Sequence, residues 1–425
     1  MDSDSNLQES DGLASLAVVL PLAVTGFVIA AGCWTLFAVG GPALQQSLSF
    51  NNLQFGLLLA MPMAVAAILA LPAGLAASQF GARRVMIACL TGLALCMLLL
   101  LLVESFAGYL LVAAGLGLSG GFYSAGLQFV AGHAPRRYTG VSLGIFGAGL
   151  AGAGFNYYLL PLLLNAYSWQ QVPMAYLVVL VVLILLLVLL TEDIPAGRES
   201  FASLPSSQLL LRLACRDTLP VLIGFGLLAG GFFALALWLP GHITSQFVLT
   251  LEGGGKVALW FVIPAALAQI AGGGLADCAG SRQVLIGSLV LGLVALLVLS
   301  YPPMTLLIEG IDGLIRVDYQ LPLPAERWLI LLLGLAMGSA MGALQARMVL
   351  LYPGAPAFAA GALLLSACAC AFLLLLLFGA AMQWVGVRST VFMVLFGLLF
   401  ASLLVALNSP RTADADCGGM DGMDE

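Results

Sequence analysis

An all-α membrane protein, with twelve transmembrane helices in two pseudo-symmetric six-helix bundles, is the fold class that this 425-residue chain predicts. Three observations carry the prediction. Hydrophobic residues make up 62% of the chain and charged residues 8%, whereas a soluble domain is about 25% charged. Apolar segments of about 20 residues, enough to cross ~30 Å of hydrocarbon at ~1.5 Å rise, recur along the whole length. Finally, GLAASQFGARR (Gly74 to Arg84) returns as GGLADCAGSRQ (Gly273 to Gln283), 199 positions downstream, with Gly81 answering Gly280 and Arg83 answering Arg282. A repeated short turn, each copy joining two long apolar segments, implies two similar bundles about a central pathway.

Taken in order, residues 1–13 form an acidic tail, read as disordered. The first bundle, 14–191, holds segments 14–38, 53–77, 84–103, 106–132, 138–165 and 173–191. Backbone polar groups find no water in lipid, so each must be a helix. Between 192 and 217 the sequence TEDIPAGRESFASLPSSQ breaks the hydrophobicity, and LLLRLACRD then sets Arg212 and Arg216 one turn apart. This linker is expected to lie along the cytoplasmic surface as an interfacial helix. The second bundle, 218–408, holds segments 218–248, 253–277, 283–300, 327–351, 356–382 and 388–408, and a second acidic tail occupies 409–425. The connection from Tyr301 to Glu326 is an insertion: before it the halves match at an offset of 199, and after it AGLQ (125–128) meets GALQ (342–345) at 217.

Cations fix the expected orientation, because positive residues stay on the cytoplasmic side. With the N-terminus inside, Arg83, Arg84, Arg136, Arg137, Arg198, Arg212, Arg216, Arg282, Arg347 and Arg411 are cytoplasmic, ten of the fourteen Lys plus Arg; Lys256, Arg316, Arg327 and Arg388 fall outside. The expectation is a multi-pass inner-membrane protein with both termini cytoplasmic and no removable signal peptide. None of the eight cysteines has metal-ligand spacing. The two sulfurs of Cys368 and Cys370 lie about 200° apart on a helix, which suits small-residue packing rather than a shared ion. No Ser/His/Asp set, paired buried carboxylates, nucleotide loop or metal cluster appears, so no enzyme, metal or cofactor is implied. The expected partners are the lipid bilayer and a small-molecule or small inorganic substrate, with no nucleic acid, acting on a monomer.

Twelve helices in two repeated sixes, with a Gly, Asp and Arg turn between helices two and three and again between eight and nine, resemble the major facilitator superfamily. The resemblance implies its fold and transport by alternating access. The gating loops it implies are Gly74, Gly81, Arg83 and Arg84 in the first half and Asp277, Gly280 and Arg282 in the second. The first copy is eroded: Ser78 and Gln79 stand where that family has an acidic and a basic residue, so its charge latch is expected to be lost there.

Residues 115–163 are more specific, and they resemble the nitrate/nitrite porters. Gly144, Ile145, Gly147, Gly149, Gly152 and Pro161 keep the spacing of that family's glycine-rich helix five, after a turn made by Pro135, Arg136 and Arg137. Glycines at such spacing permit close approach to a neighbouring helix or a small ligand. The family's two anion-holding arginines map onto Ala70 and Gln269, again 199 apart, and its helix-five asparagine maps onto Leu150. Its helix-eleven glycine signature keeps Gly361, while Ser366 and its neighbours replace most of the rest. A buried arginine costs roughly 2.5–3.5 kcal/mol on the insertion scale and is kept only where it is used. Its absence at both sites predicts a neutral or weakly charged solute, held by donors drawn from Tyr123, Gln128, Asn156, Tyr157, Gln269, Ser339, Gln345 and Ser366.

At the outer ends of helices one and seven, Gly41 meets Pro240 and Pro42 meets Gly241 at the same offset, which predicts hinges of an outer gate. Trp34, Phe37, Phe233 and Trp238 are its expected plugs, and His242 stands beside it as a titratable group. Two functional readings follow. One is a secondary transporter, porter-like with an altered substrate site; the other is a non-transporting relative acting as sensor or organising partner in a membrane assembly.

Overall fold

The computed structural model describes residues 2–47, 49–134, 139–166, 169, 171–192, 213–215, 217–302, 304–310, 313–319, 321–352, 355–387 and 389–408. Among them, twelve helices are long and apolar enough to cross a membrane. They are span 1 (Leu16–Gly41), span 2 (Asn52–Phe80), span 3 (Ala82–Leu100), span 4 (Phe106–His133), span 5 (Val141–Leu164), span 6 (Gln171–Leu190), span 7 (Thr218–Gln246), span 8 (Leu251–Ala276), span 9 (Ser281–Leu299), span 10 (Leu323–Met348), span 11 (Phe358–Trp384) and span 12 (Thr390–Asn408). The expected linker at 192–217, the turn at Pro135, Arg136 and Arg137, and the tail at 409–425 lie wholly or almost wholly outside the described residues.

Packing follows the repeat. Span 2 packs on span 4 as span 8 packs on span 10, and span 3 packs on span 6 as span 9 packs on span 12. Between the halves, span 2 lies along span 11 while span 8 lies along span 5, one relation applied twice by a pseudo-twofold axis. Small residues permit these approaches, since little apolar driving force separates helices from lipid. A Cβ on Gly361 would sit 2.7 Å from the Ala70 carbonyl oxygen, and one on Gly56 would sit 3.0 Å from Gly379 Cα.

The twin turns have one backbone. Gly81 adopts φ 96°, ψ 133° and Gly280 adopts φ 85°, ψ 134°, each serving at once as the end of one helix and the start of the next. Side chains rarely tolerate positive φ, so glycine at both positions is a steric requirement. The arginine that follows acts alike in both halves. Arg83 donates from Nε to the Leu187 carbonyl (3.1 Å) and from Nη2 to Val188 (2.6 Å). Arg282 donates from Nε to Ala406 (3.2 Å) and from Nη2 to Leu407 (2.9 Å). Each guanidinium thus caps the last-turn carbonyls of span 6 or span 12, where the helix has unsatisfied acceptors and a negative dipole end. This cap needs no carboxylate, so the eroded first loop still holds its helix; Ser78 instead bonds back to the Gly74 carbonyl (3.0 Å). The Asp277 side chain lies outside the described residues. These turns define the arginine end of the molecule.

At the opposite end, the 301–326 connection adds strands to an otherwise helical chain. Strands β1 (Met304–Gly310) and β2 (Gly313–Tyr319) form a two-stranded antiparallel hairpin, with Met304 opposite Tyr319 and Gly310 opposite Gly313. The all-α class with twelve spans stands, and the hairpin lies outside the spans, where an insertion is free of the lipid's demand for helices.

One expectation is corrected. The N-terminal stretch read as disordered is helical from Asp2, continuous with span 1 as helix Asp2–Trp34. At the expected outer-gate positions the backbone is helical: helix Leu36–Ser47 runs through Gly41 and Pro42, and span 7 runs through Pro240 and Gly241. The interruption of span 1 lies at Thr35. Its Oγ1 donates to the carbonyls of Ala31 and Gly32 (both 3.1 Å), and Asn156 Nδ2 donates to the Gly32 carbonyl (3.0 Å) and to Thr35 Oγ1 (3.1 Å). Side-chain competition of this kind opens a helix without leaving its backbone unpaired.

Candidate functional site

Four helices of each half, spans 1, 2, 4 and 5 with 7, 8, 10 and 11, surround a small cavity. Its volume is about 30 Å³, on a scale where one water needs roughly 10–15 Å³. Its walls are mostly apolar, with Phe27, Trp34 and Phe233 prominent, and no Asp, Glu, Lys, Arg or His lines it among the described residues.

Three polar side chains form a continuous chain across it. Gln269 of span 8 donates from Nε2 to Gln345 Oε1 of span 10 (2.7 Å), and Gln345 donates from Nε2 to the Tyr123 hydroxyl of span 4 (2.9 Å). The second of these bonds joins the two halves. Gln269 Oε1 is buried and accepts nothing among the described residues, an uncommon condition for a buried polar atom. The chain therefore offers an acceptor at Gln269 and, through its hydroxyl hydrogen, a donor at Tyr123. Reversing both amides and the hydroxyl exchanges these ends and again leaves one of each. Phe27 and Phe146 hold the Tyr123 ring, with centroids 5.1 and 5.8 Å away.

Gly147 and Leu150 line the same cavity, and a Cβ on Gly147 would lie 3.3 Å from Gln269 Nε2. The intervening glycine-rich stretch tightens into a 3₁₀ turn at Ala148–Leu150, a departure that often marks a hinge. The structure thus assembles Tyr123, Gly147, Leu150, Gln269 and Gln345. The other expected pathway residues are not among those lining this cavity. Ala70 is fully buried in the seam between spans 2 and 11, and Ala66, one turn away, lines the cavity in its place. Gly149 abuts Phe27, Gly152 abuts the Val28 backbone, and Gly144 faces Ile270 at 3.9 Å. Asn156 is saturated by Gly32, Thr35 and the Tyr176 hydroxyl (2.7 Å). Gln128 lies toward the arginine end, 3.5 Å from Ser78 Oγ, and Ser366 bonds its own helix at Leu363. Tyr157 donates to the Ala236 carbonyl across the halves, and Ser339 bonds Ser288 (2.7 Å).

Aromatic rings seal the pathway toward the hairpin end. Trp34 meets Phe233 edge-on at 5.0 Å, and beyond them Trp238 lies 6.0 Å from both Phe55 of span 2 and Phe378 of span 11. A Cβ on Gly41 would touch Phe55 at 2.6 Å, so this glycine accommodates the seal. Phe37 packs on Tyr109 within its own half, at 6.3 Å. The sequence misses Phe55 and Phe378, since single phenylalanines in apolar helices carry no distinguishing signal. It also misses Glu326, assigned to the connection but buried in the first turn of span 10 with 2% of its surface exposed. Gln246 donates to its Oε2 (3.1 Å), and His242 Nε2 lies 4.0 Å from its Oε1, with Phe392 5.3 Å from the imidazole.

Comparison with known proteins agrees with this geometry. The probable nitrate/nitrite antiporter NarK1 of Thermus thermophilus is 25% identical over 402 residues, covering 91% of this chain and 90% of its own length. The probable nitrate/nitrite transporter NarK2 of Mycobacterium tuberculosis is 25% identical over 280 residues, 64% of this chain and 70% of its own. Among solved structures, a bacterial homologue of the human lysosomal transporter Spinster, inward-facing and occupied, superposes with a TM-score of 0.69 at 14% identity, covering 94% of this chain and 97% of its own. The human organic anion transporter MFSD10 gives 0.66 at 17% identity, with coverage of 92% and 99%. The family model of the Major Facilitator Superfamily matches residues 22–362. With two pseudo-symmetric sets of six spans enclosing one central cavity, this chain belongs to the Major Facilitator Superfamily.

Proposed function

We propose that this transporter moves a small neutral or weakly charged solute by rocking of its two halves about the Tyr123, Gln345 and Gln269 chain, in a substrate site altered from that of the nitrate/nitrite porters. The observation that carries the reading is the cavity itself: an unmatched amide acceptor and a free hydroxyl donor in apolar walls, without a cation to offset the desolvation of an anion. A solute bearing one donor and one acceptor completes the chain. The protein acts as a monomer in the inner membrane with both termini and the arginine end cytoplasmic, so the aromatic seal at Trp238 closes the outer side. The Tyr123 to Gln345 bond breaks when the halves separate, and bound solute takes its place.

The test is counterflow in proteoliposomes with nitrate, nitrite, other oxyanions and neutral solutes, beside thermal unfolding with the same panel, since a ligand of the folded state raises stability by mass action. Saturable exchange of a neutral solute, reduced about threefold to tenfold in Tyr123→Phe through loss of one hydrogen bond, is the expected result. Exchange of no solute in the panel would favour a non-transporting sensor or organising role, and tight nitrate binding would overturn the altered site.

A further inference from the structure

A second polar crevice opens at the arginine end, inside the second half and away from the central cavity. Spans 7, 9, 10 and 12 line it, with Gly224 and Leu344 on its inner side and Arg282, Arg347 and Ser402 as its polar groups. Its volume is about 20 Å³, on a scale where one water needs roughly 10–15 Å³, so it admits one or two oxygens of an anion whose remainder lies at its mouth.

Three features of its lining call for an anion. Arg347, half-buried in the last turn of span 10, has neither a hydrogen bond nor an ion pair among the described residues. Arg282 is immobilised by its two bonds to the Ala406 and Leu407 carbonyls, which engage Nε and Nη2 and leave Nη1 unused. Its guanidinium is therefore held at the rim of the crevice, beside Ala406. Ser402 is 2% exposed, yet its hydroxyl has no hydrogen-bond partner. No described Asp or Glu lines the crevice. Two cations lining one crevice repel, and a buried hydroxyl without a partner is costly; an oxyanion offsets both at once. A phosphoryl group suits the set, since its oxygens can accept from two guanidinium groups and one hydroxyl together.

By the repeat's later offset of 217, Arg347 answers Val130, so the cation is peculiar to the second half. We propose that Arg347, Arg282 and Ser402 form a binding site for a phosphoryl oxyanion, either the phosphodiester of a lipid headgroup or free phosphate, that ties spans 7, 9, 10 and 12 together at the arginine end.

The experiment uses the purified full-length chain, with native mass spectrometry and thermal unfolding against phosphatidylglycerol in mixed micelles and against inorganic phosphate alone, each beside sodium chloride of equal ionic strength. Binding is expected to weaken about tenfold or more in Arg347→Gln, which loses a charge-assisted pair, and about two- to tenfold in Ser402→Ala. Retention of the lipid alone identifies a headgroup site, and stabilisation by phosphate alone identifies a soluble anion; either supports the proposal. Arg347→Met, which keeps much of the apolar stem and removes the charge, serves where Arg347→Gln does not fold. Binding by Arg347→Gln or Arg347→Met, together with Ser402→Ala, at the wild-type level overturns the proposal, as does the absence of any effect beyond the salt control. Neither outcome bears on solute exchange through the central cavity.

Discussion

At the scale of single residues, glycine has two different uses here, and substitution separates them. Gly280 has open space around the position of a Cβ but a φ of 85°, so Gly280→Ala pays only backbone strain, about 1–3 kcal/mol. Gly274 has equally open space within a regular helix, so Gly274→Ala is expected to stabilise by about 0.5–1 kcal/mol. Thermal unfolding in detergent should show opposite signs for one chemical change. Ala70→Arg, which would restore the porter-type cation, is expected to cost more than about 3 kcal/mol, because the site lies fully buried against Gly361. Nitrate stabilisation of a well-folded Ala70→Arg protein would show that spans 2 and 11 part there.

At the scale of elements, the break in span 1 and the two arginine caps make separable predictions. Asn156→Ala strips partners from the Gly32 carbonyl and the Tyr176 hydroxyl, so a loss of about 2–4 kcal/mol is expected, with Tyr176→Phe adding less in the double variant than alone. The break itself is not legible in the sequence: Gly41, Pro42, Pro240 and Gly241 are the visible helix breakers, yet a threonine and a distant asparagine open the helix. Glycine and proline are local signals, whereas a side chain from span 5 reaching span 1 is a long-range one. For the caps, Arg83→Gln and Arg282→Gln should destabilise to a similar extent, about 0.5–2 kcal/mol each. A clearly larger effect for Arg282 would restore importance to the acidic residue that only the second loop retains.

At the scale of the whole molecule, transport requires the aromatic seal to part and re-form. Cysteines placed at Phe55 and Trp238 in a cysteine-free background, joined by a short bifunctional reagent, are expected to abolish exchange, and a cleavable reagent should restore it on reduction. Unimpeded flux through the cross-linked protein would mean that the halves do not separate at the hairpin end. The sequence by itself determined the membrane-spanning class, the number of spans, the repeat and the glycine turns, because hydrophobic length and a glycine confined to positive φ are properties of local chain chemistry. It also named Tyr123, Gln269 and Gln345 among eight donors of equal standing. Only the tertiary structure decided that these three form one chain and that Asn156 is saturated. It decided likewise that Ala70 lies in a seam, that Phe55 and Phe378 complete a seal, and that Glu326 is buried. Each of these depends on which helix faces meet, and in a chain apolar on nearly every face, hydrophobic pattern gives a helix its length but not its rotation.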